Sequence, residues 1–302
     1  MDITSVKQDI SEYHLPSASD YFSLLKPRVM SLVIFTAFIG LLVAPGEIHP
    51  VIGFTAILCI AVAAGASGCL NMWYEADIDA KMHRTADRPI PAGRIEAQSA
   101  LHFGIALSVG SVLVMGLMVN VVAALLLTIT ILFYVVVYTM WLKRRTAQNI
   151  VIGGLAGAMP PLLGWVSMTG ELHPNAFLLV MIIFTWTPPH FWALAIHRKD
   201  DYARVNIPML PVTHGLAFTK NAIVLYTILL TLVCFLPYLI AMTGLIYLVS
   251  STILNLVFLK YAWQLKVKDD KNIAMDTFKF SIWHLLILFV ALLVDHFYII
   301  RF

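Results

Sequence analysis

Asn71, Glu75 and Asp79 stand four residues apart in the run NMWYEADIDAKMHRTADRPIPAGRI, Asn71 to Ile95, which follows a long apolar stretch. On a helix each step of four advances by about 40°, so these three side chains share one face and Asp77 points elsewhere. A row of two carboxylates and a carboxamide at the end of an apolar helix is costly unless something neutralises it. Hard divalent cations take oxygen ligands, and magnesium is usually held by a few carboxylates together with substrate phosphates. Lys81, Arg84, Arg88 and Arg94 follow in the same run, and arginine forks match phosphate oxygens. Mixed charges on a loop are more often a solvated face with weak ion pairs. Here the NxxxExxxD face and the RTxxRP run lie together at the mouth of one helix, which points to a metal-bridged polyphosphate.

A second run, WTPPHFWALAIHRKDDYARVNIPMLPVTHG, extends from Trp186 to Gly215. His190, His197 and Asp201 are spaced seven and four, so they share a face if the helix continues past the apolar span. Pro188-Pro189 is expected to kink or restart that helix, because proline removes a backbone donor. A histidine in an apolar span is more often a packing residue than a ligand, and both roles stay open for His190 and His197. Arg198, Lys199, Asp200, Asp201 and Arg204 crowd the helix exit. Asp200 and Asp201 occupy the place after the sixth apolar helix that Glu75 and Asp79 occupy after the second. Two acidic clusters facing each other would hold magnesium and a diphosphate, an arrangement suited to ionising an allylic diphosphate. In a third run, Lys143 to Trp165, Gly153 and Gly157 form a GxxxG pair suited to close helix contact in lipid, and Lys143, Arg144 and Arg145 read as topology determinants. Asn149 is either a ligand or a helix cap.

The elements that must position these residues belong to a membrane. The chain of 302 residues is 60% hydrophobic and 12% charged, whereas soluble domains are nearer a quarter charged. Stretches free of Asp, Glu, Lys and Arg divide into nine helices, roughly 28–45, 50–72, 99–118, 120–142, 149–168, 174–197, 221–242, 245–265 and 280–299. Nineteen of the twenty cations fall in the terminal segment 1–28 and in alternate loops, 74–98, 143–148, 198–220 and 260–279. That alternation obeys the positive-inside rule with the N-terminus cytoplasmic. The expected fold is an all-α bundle of nine transmembrane helices around a central cavity, residues 28–302, preceded by a cytoplasmic tail, 1–27, and carrying functional loops at about 72–98 and 198–220. The acidic start of the chain is unlike a signal or transit peptide, so a bacterial inner membrane is expected. Cys59, Cys69 and Cys234 lie in apolar stretches with no CxxC pair, so neither zinc nor a disulfide framework is indicated.

At these residues the chain resembles the UbiA superfamily of intramembrane prenyltransferases, whose first motif matches NxxxExxxD followed by RTxxRP. The middle acid there is commonly Asp, so Glu75 keeps the charge on a longer arm. The usual second motif, DxxxD, is replaced by HRKDDYARVNIPML. TxxNIVIGGxxGAxPPLxGW and TWTPPHFWALAIxxxDDYxxxxIPMLP resemble the haem-farnesylating branch of that superfamily, over nearly the whole chain. The resemblance implies farnesyl diphosphate as donor, haem b as acceptor, haem O and diphosphate as products, Mg2+ as cofactor, and supply of haem to terminal oxidases. Haem-handling or oxidase-assembly proteins are the partners that follow, with no nucleic acid. Asn71, Glu75 and Asp79 would bind magnesium and diphosphate, Arg84 and Arg88 would grip phosphate, and Asp200 or Asp201 would complete a second metal cluster. Lys199 or Arg198 would assist diphosphate departure or meet a haem propionate. His190 and His197 are candidates for contact with the porphyrin or its iron, and Asn149 is a further binding candidate.

Three rival readings compete. A related prenyltransferase would act on an aromatic acid or quinone precursor. A transporter would carry its ionisable groups near the bilayer midplane, whereas here they cluster at one face. A non-catalytic haem-assembly factor would not need the NxxxExxxD face.

Overall fold

The computed structural model describes residues 16–268, 270–298 and 300, and every described element is helical. The elements are α1 (Ala18–Leu24), α2 (Pro27–Leu42), α3 (Pro50–Tyr74), α4 (Ala76–Asp79), α5 (Ala97–Met118), α6 (Val121–Leu132), a π-helix (Phe133–Leu142), α7 (Asn149–Ala158), α8 (Pro160–Thr169), α9 (Pro174–His197), α10 (Lys199–Arg204), α11 (Leu210–Thr213), α12 (Gly215–Leu239), α13 (Leu245–Val267) and α14 (Lys271–Phe297). Among the described residues, eight helices are long and apolar enough to cross a membrane, α6 continuing into the π-helix and α7 into α8. The bent pair α1–α2 raises the number to as many as nine. These limits fall within a few residues of those expected, except that α12 and α14 begin earlier.

Apolar side chains cover the outside as well as the inside. Leu117, Phe54, Leu225 and Leu239 are among the large hydrophobics left exposed, which is tolerable only where lipid is the solvent. The α7–α8 span and α9 are the most enclosed, 72% and 67% buried over their apolar windows, against 17% for α5. The helix carrying the His190 run therefore stands at the centre. It packs on α7, α12 and α14, while α3 pairs with α5 and α2 with α8. The α2–α8 contact is backbone to backbone. A Cβ on Gly164 would stand 1.9 Å from the Ala37 carbonyl oxygen, and one on Gly40 would stand 2.1 Å from that of Pro161.

Three local expectations are corrected. The NxxxExxxD face is not one unbroken helix: α3 ends at Tyr74, Glu75 is its cap with φ −98° and ψ 9°, and α4 follows. Helix α9 is not restarted by its prolines but runs from Pro174 to His197 through both, as membrane helices do when neighbouring groups satisfy the freed backbone. It does not continue to Asp201; it stops at the cap Arg198, with φ −106° and ψ 20°, and α10 starts afresh. Of the expected tail, residues 1–15 lie outside the described residues. Ser17 caps α1 through a capping box with Asp20, and Leu24 is buried with Cys69, Met72, Ile95 and Ala100.

Candidate active site

The break after Tyr74 still leaves Asn71, Glu75 and Asp79 together at the loop end of the bundle, each almost fully enclosed. Such groups are expensive to bury unpaired, and each has acquired a cationic partner from elsewhere in the chain. Lys26 Nζ donates to Asn71 Oδ1 at 2.7 Å. Lys143 Nζ lies 2.5 Å from Glu75 Oε1 and 2.6 Å from Oε2. Arg88 Nη1 donates to Asp79 Oδ2 at 2.6 Å. Thr139 Oγ1 accepts from Asn71 Nδ2 at 3.2 Å. Burial alone would depress the ammonium of Lys143, but the Glu75 charge and hydrogen bond outweigh it and hold its pKa above the ordinary lysine value.

Three basic side chains therefore face two carboxylates and an amide, Lys143 and Arg88 on the carboxylates and Lys26 on the amide. A pocket of that composition favours an anion. All three side chains of the acidic face offer hard oxygen donors, the set magnesium prefers when phosphates complete its shell. Among the described residues no three His, Cys, Asp or Glu side chains converge as a closed metal cage.

Asp77 is the control within the same segment. Its side chain is 59% exposed and forms a fork with Arg144, at 2.7 and 3.1 Å. Partial burial works against the Asp77 anion, yet the Arg144 bonds hold its carboxyl below the usual range. Asp20, on α1, pairs with Arg94 Nε at 2.8 Å and so ties the N-terminal helix to the loop.

The second run meets the first across a cavity of about 220 Å³ lined by Met82, Arg84, Leu194, Arg198, Asp201, Tyr202, Met275 and Phe278. Arg84 from one loop and Asp201 from the other thus face the same space. Asp201 is mostly enclosed and stands 4.0 Å from Arg198, whereas Asp200 is exposed and does not line the cavity. His190 stacks between Trp186 and Phe278, with ring centroids 4.2 and 4.6 Å away, and its Nδ1 is 2.6 Å from Ser281 Oγ. Packing and orientation are both served, and Phe278 links the imidazole to the cavity wall. His197 and Lys199 are half-buried at the same helix exit. Asn149 opens α7; its Nδ2 donates to the Thr146 carbonyl at 2.6 Å while Oδ1 is buried without a partner.

A model of the UbiA prenyltransferase family matches residues 33–293. The chain belongs to that family. The prenyltransferase is 57% identical over 284 residues to a protoheme IX farnesyltransferase of Parvibaculum lavamentivorans, covering 92% of this chain and 89% of the relative. It is 53% identical over 292 residues to the Granulibacter bethesdensis protein of the same name, covering 94% and 92%. In fold it is similar to digeranylgeranylglyceryl phosphate synthase, with a TM-score of 0.78 at 19% identity over 93% of this chain and 99% of that one. A UbiA homologue from Archaeoglobus fulgidus bound to GPP and Mg2+ gives a TM-score of 0.62 at 13% identity, over 91% and 99%.

Lys26, Thr139 and Lys143 contact the candidate site of the prenyltransferase but were not legible as such in the sequence. The one signal at Lys26 was its place before Pro27 at the start of a span; in the structure it has a left-handed backbone, φ 53°, and reaches Asn71 on α3. Lys143 was hidden among three consecutive cations that equally suit topology.

Proposed function

We propose that this prenyltransferase transfers the farnesyl group of farnesyl diphosphate to a vinyl group of haem b, with addition of water, giving haem O and diphosphate. The observation that carries the donor side is the enclosed row Asn71–Glu75–Asp79 matched against Lys26, Lys143 and Arg88. The acceptor side rests on the similarity to protoheme IX farnesyltransferases over nine-tenths of the chain.

Asn71, Glu75 and Asp79 would hold Mg2+, with Asp201 across the cavity; Asp200 is the weaker candidate because it is exposed and does not line the cavity. Held there, Mg2+ would supply positive charge to a departing diphosphate. Lys143 and Arg88 would then take phosphate oxygens in place of the Glu75 and Asp79 carboxylates, Lys26 would do so in place of the Asn71 amide, and Arg84 would add a further contact. Arg198 and Lys199 stand where they would meet either the leaving diphosphate or a haem propionate. The apolar wall of Met82, Leu194, Met275 and Phe278 keeps water from the farnesyl cation. The vinyl group forms the new C–C bond, and water supplies hydroxyl to the resulting cation with loss of a proton. His190, oriented by Ser281, and His197 would contact the porphyrin, and Asn149 Oδ1 is a spare acceptor beside the loop.

The enzyme would lie in a bacterial inner membrane with its N-terminus inside and nine crossings, delivering product to haem-handling or oxidase-assembly proteins. The test is an assay in purified membranes with haem b, farnesyl diphosphate and magnesium, with products separated and weighed. A magnesium-dependent product with the mass of haem O, lost in Asp79→Asn, is expected. Unmodified haem b beside a prenylated phenolic acceptor would move the enzyme to another branch of its family.

A further inference from the structure

A ten-residue π-helix is unusual, since most π-turns occur singly and at functional sites. In Phe133–Leu142 it stands beside the proposed donor site, and its last turn is closed by the bond from Lys143 N to the Tyr138 carbonyl, 3.0 Å. Its buried side chains are Val135, Thr139 and Leu142; Ile131 is buried in the α6 turn before it, and Lys143 follows, so Ile131, Val135, Thr139 and Lys143 are spaced by four. On an α-helix the three steps from Ile131 to Lys143 would rotate the chain by about 120°, a third of a turn. The wider π-turns rotate less per residue and turn the chain the other way over such a step. Thr139 therefore reaches Asn71, Met140 O accepts from Tyr74 Oη at 3.4 Å, and Lys143 reaches Glu75 from the same face.

Tyr138 seats this segment. Its ring lies so close to Gly153 that a Cβ there would stand 2.1 Å from Tyr138 Cδ2 and 2.7 Å from Cε2. The other glycine of the pair, Gly157, has open space at that position. One glycine of the GxxxG motif thus has a specific occupant and the other has none.

We infer that Gly153 and Tyr138 form a register lock: the ring seated on the glycine holds the π-helix at the rotation that delivers Lys143 and Thr139 to the donor site. Both are positioning residues, and the inference rests on the proposed diphosphate role of Lys143. Adding a methyl group at Gly153 pushes the ring away and turns Lys143 off its target; removing the ring releases the segment without adding bulk.

The test measures binding of inorganic pyrophosphate with Mg2+ to the purified full chain by calorimetry, and the KM for each substrate. Gly153→Ala is expected to weaken pyrophosphate binding and raise the farnesyl diphosphate KM about tenfold, the loss of one charge-assisted contact, with the haem b KM unchanged. Gly157→Ala should match the wild type. Tyr138→Ala should show the same selective loss, and Gly153→Ala combined with Tyr138→Ala should be no worse than Tyr138→Ala alone. Should Gly153→Ala fail to fold, Tyr138→Ala and the double variant decide. Wild-type binding of pyrophosphate with unchanged affinity in Tyr138→Ala would overturn the lock, as would an equal rise in both KM values. Absence of pyrophosphate binding to the wild type would instead overturn the donor-site reading.

Discussion

Replacing Lys143 by Met isolates the charge balance on which the donor site depends. The Glu75 side chain is 3% exposed and that of Lys143 16%, with the ammonium against both carboxylate oxygens. Methionine retains most of the apolar stem, so the chief change is a buried carboxylate without a partner. Breaking a buried ion pair by deleting one member costs about 3–5 kcal/mol. The partial exposure of Lys143 favours the lower end, about 3 kcal/mol, which for a chain of this size lowers the midpoint of thermal unfolding by about 5–10 °C. Adding Glu75→Gln removes the stranded charge, so the double variant should recover most of that loss. The coupling between the two sites is expected at about 2 kcal/mol, well outside the additivity of independent positions. The assay is thermal unfolding of the purified protein in detergent, with and without magnesium and pyrophosphate. If Lys143→Met and the double variant unfold within a degree of each other without ligand, the pair does not carry this energy and the charge argument fails.

Asp79→Asn removes both the Arg88 partner and a proposed metal ligand, so kcat/KM should fall at least about a hundredfold, measured as haem O formed. Arg144→Ala breaks a pair whose members are 36% and 59% exposed; stability should change by less than about 1 kcal/mol and activity by less than about threefold. Asp201→Asn should reduce turnover far more than Asp200→Asn, because Asp201 lines the cavity and Asp200 does not; equal losses would contradict that assignment. Gly164→Ala should abolish accumulation of folded protein in the membrane, since its Cβ would overlap the Ala37 carbonyl and α2 could no longer seat against α8.

Membrane helices were legible because a charge-free run of about twenty residues has few other fates, and eight to nine apolar spans are present among the described residues. The acidic face was legible because Asn71, Glu75 and Asp79 are close in sequence. Their partners were not. Lys26 and Lys143 come from 45 and 68 positions away, and no local pattern separates Lys143 from Arg144 and Arg145. The decisive fact is register: Lys143 points inward, and Arg144 points along the surface toward Asp77. That register depends on a π-helix, which helical periodicity at 3.6 residues per turn does not reveal. Likewise Pro188 and Pro189 looked like a break, but an enclosed helix in lipid has no better use for its remaining backbone groups than to continue.

The paired state of the donor site has a consequence for the order of events in the proposed reaction. Magnesium arriving alone must displace Lys143 and Arg88 from the carboxylate oxygens it needs and Lys26 from the Asn71 amide, and would leave Lys143 and Arg88 without counter-ions. Diphosphate arriving alone would satisfy the cations but face two buried carboxylates. Either half-filled state strands like charges in a low-dielectric setting. Entering together, metal and diphosphate exchange both internal ion pairs for equivalent ones, carboxylate to metal and cation to phosphate, and Lys26 trades the Asn71 amide for a phosphate oxygen. Binding of the two should therefore be strongly cooperative, each tightening the other by the same factor. Lys143→Met alters that bargain on one side only: it removes a competitor for the metal and a partner for the phosphate. Its affinity for magnesium alone should rise while its affinity for pyrophosphate falls, so the coupling between them shrinks. A variant in which both affinities fell together would mean that Lys143 only supports the structure.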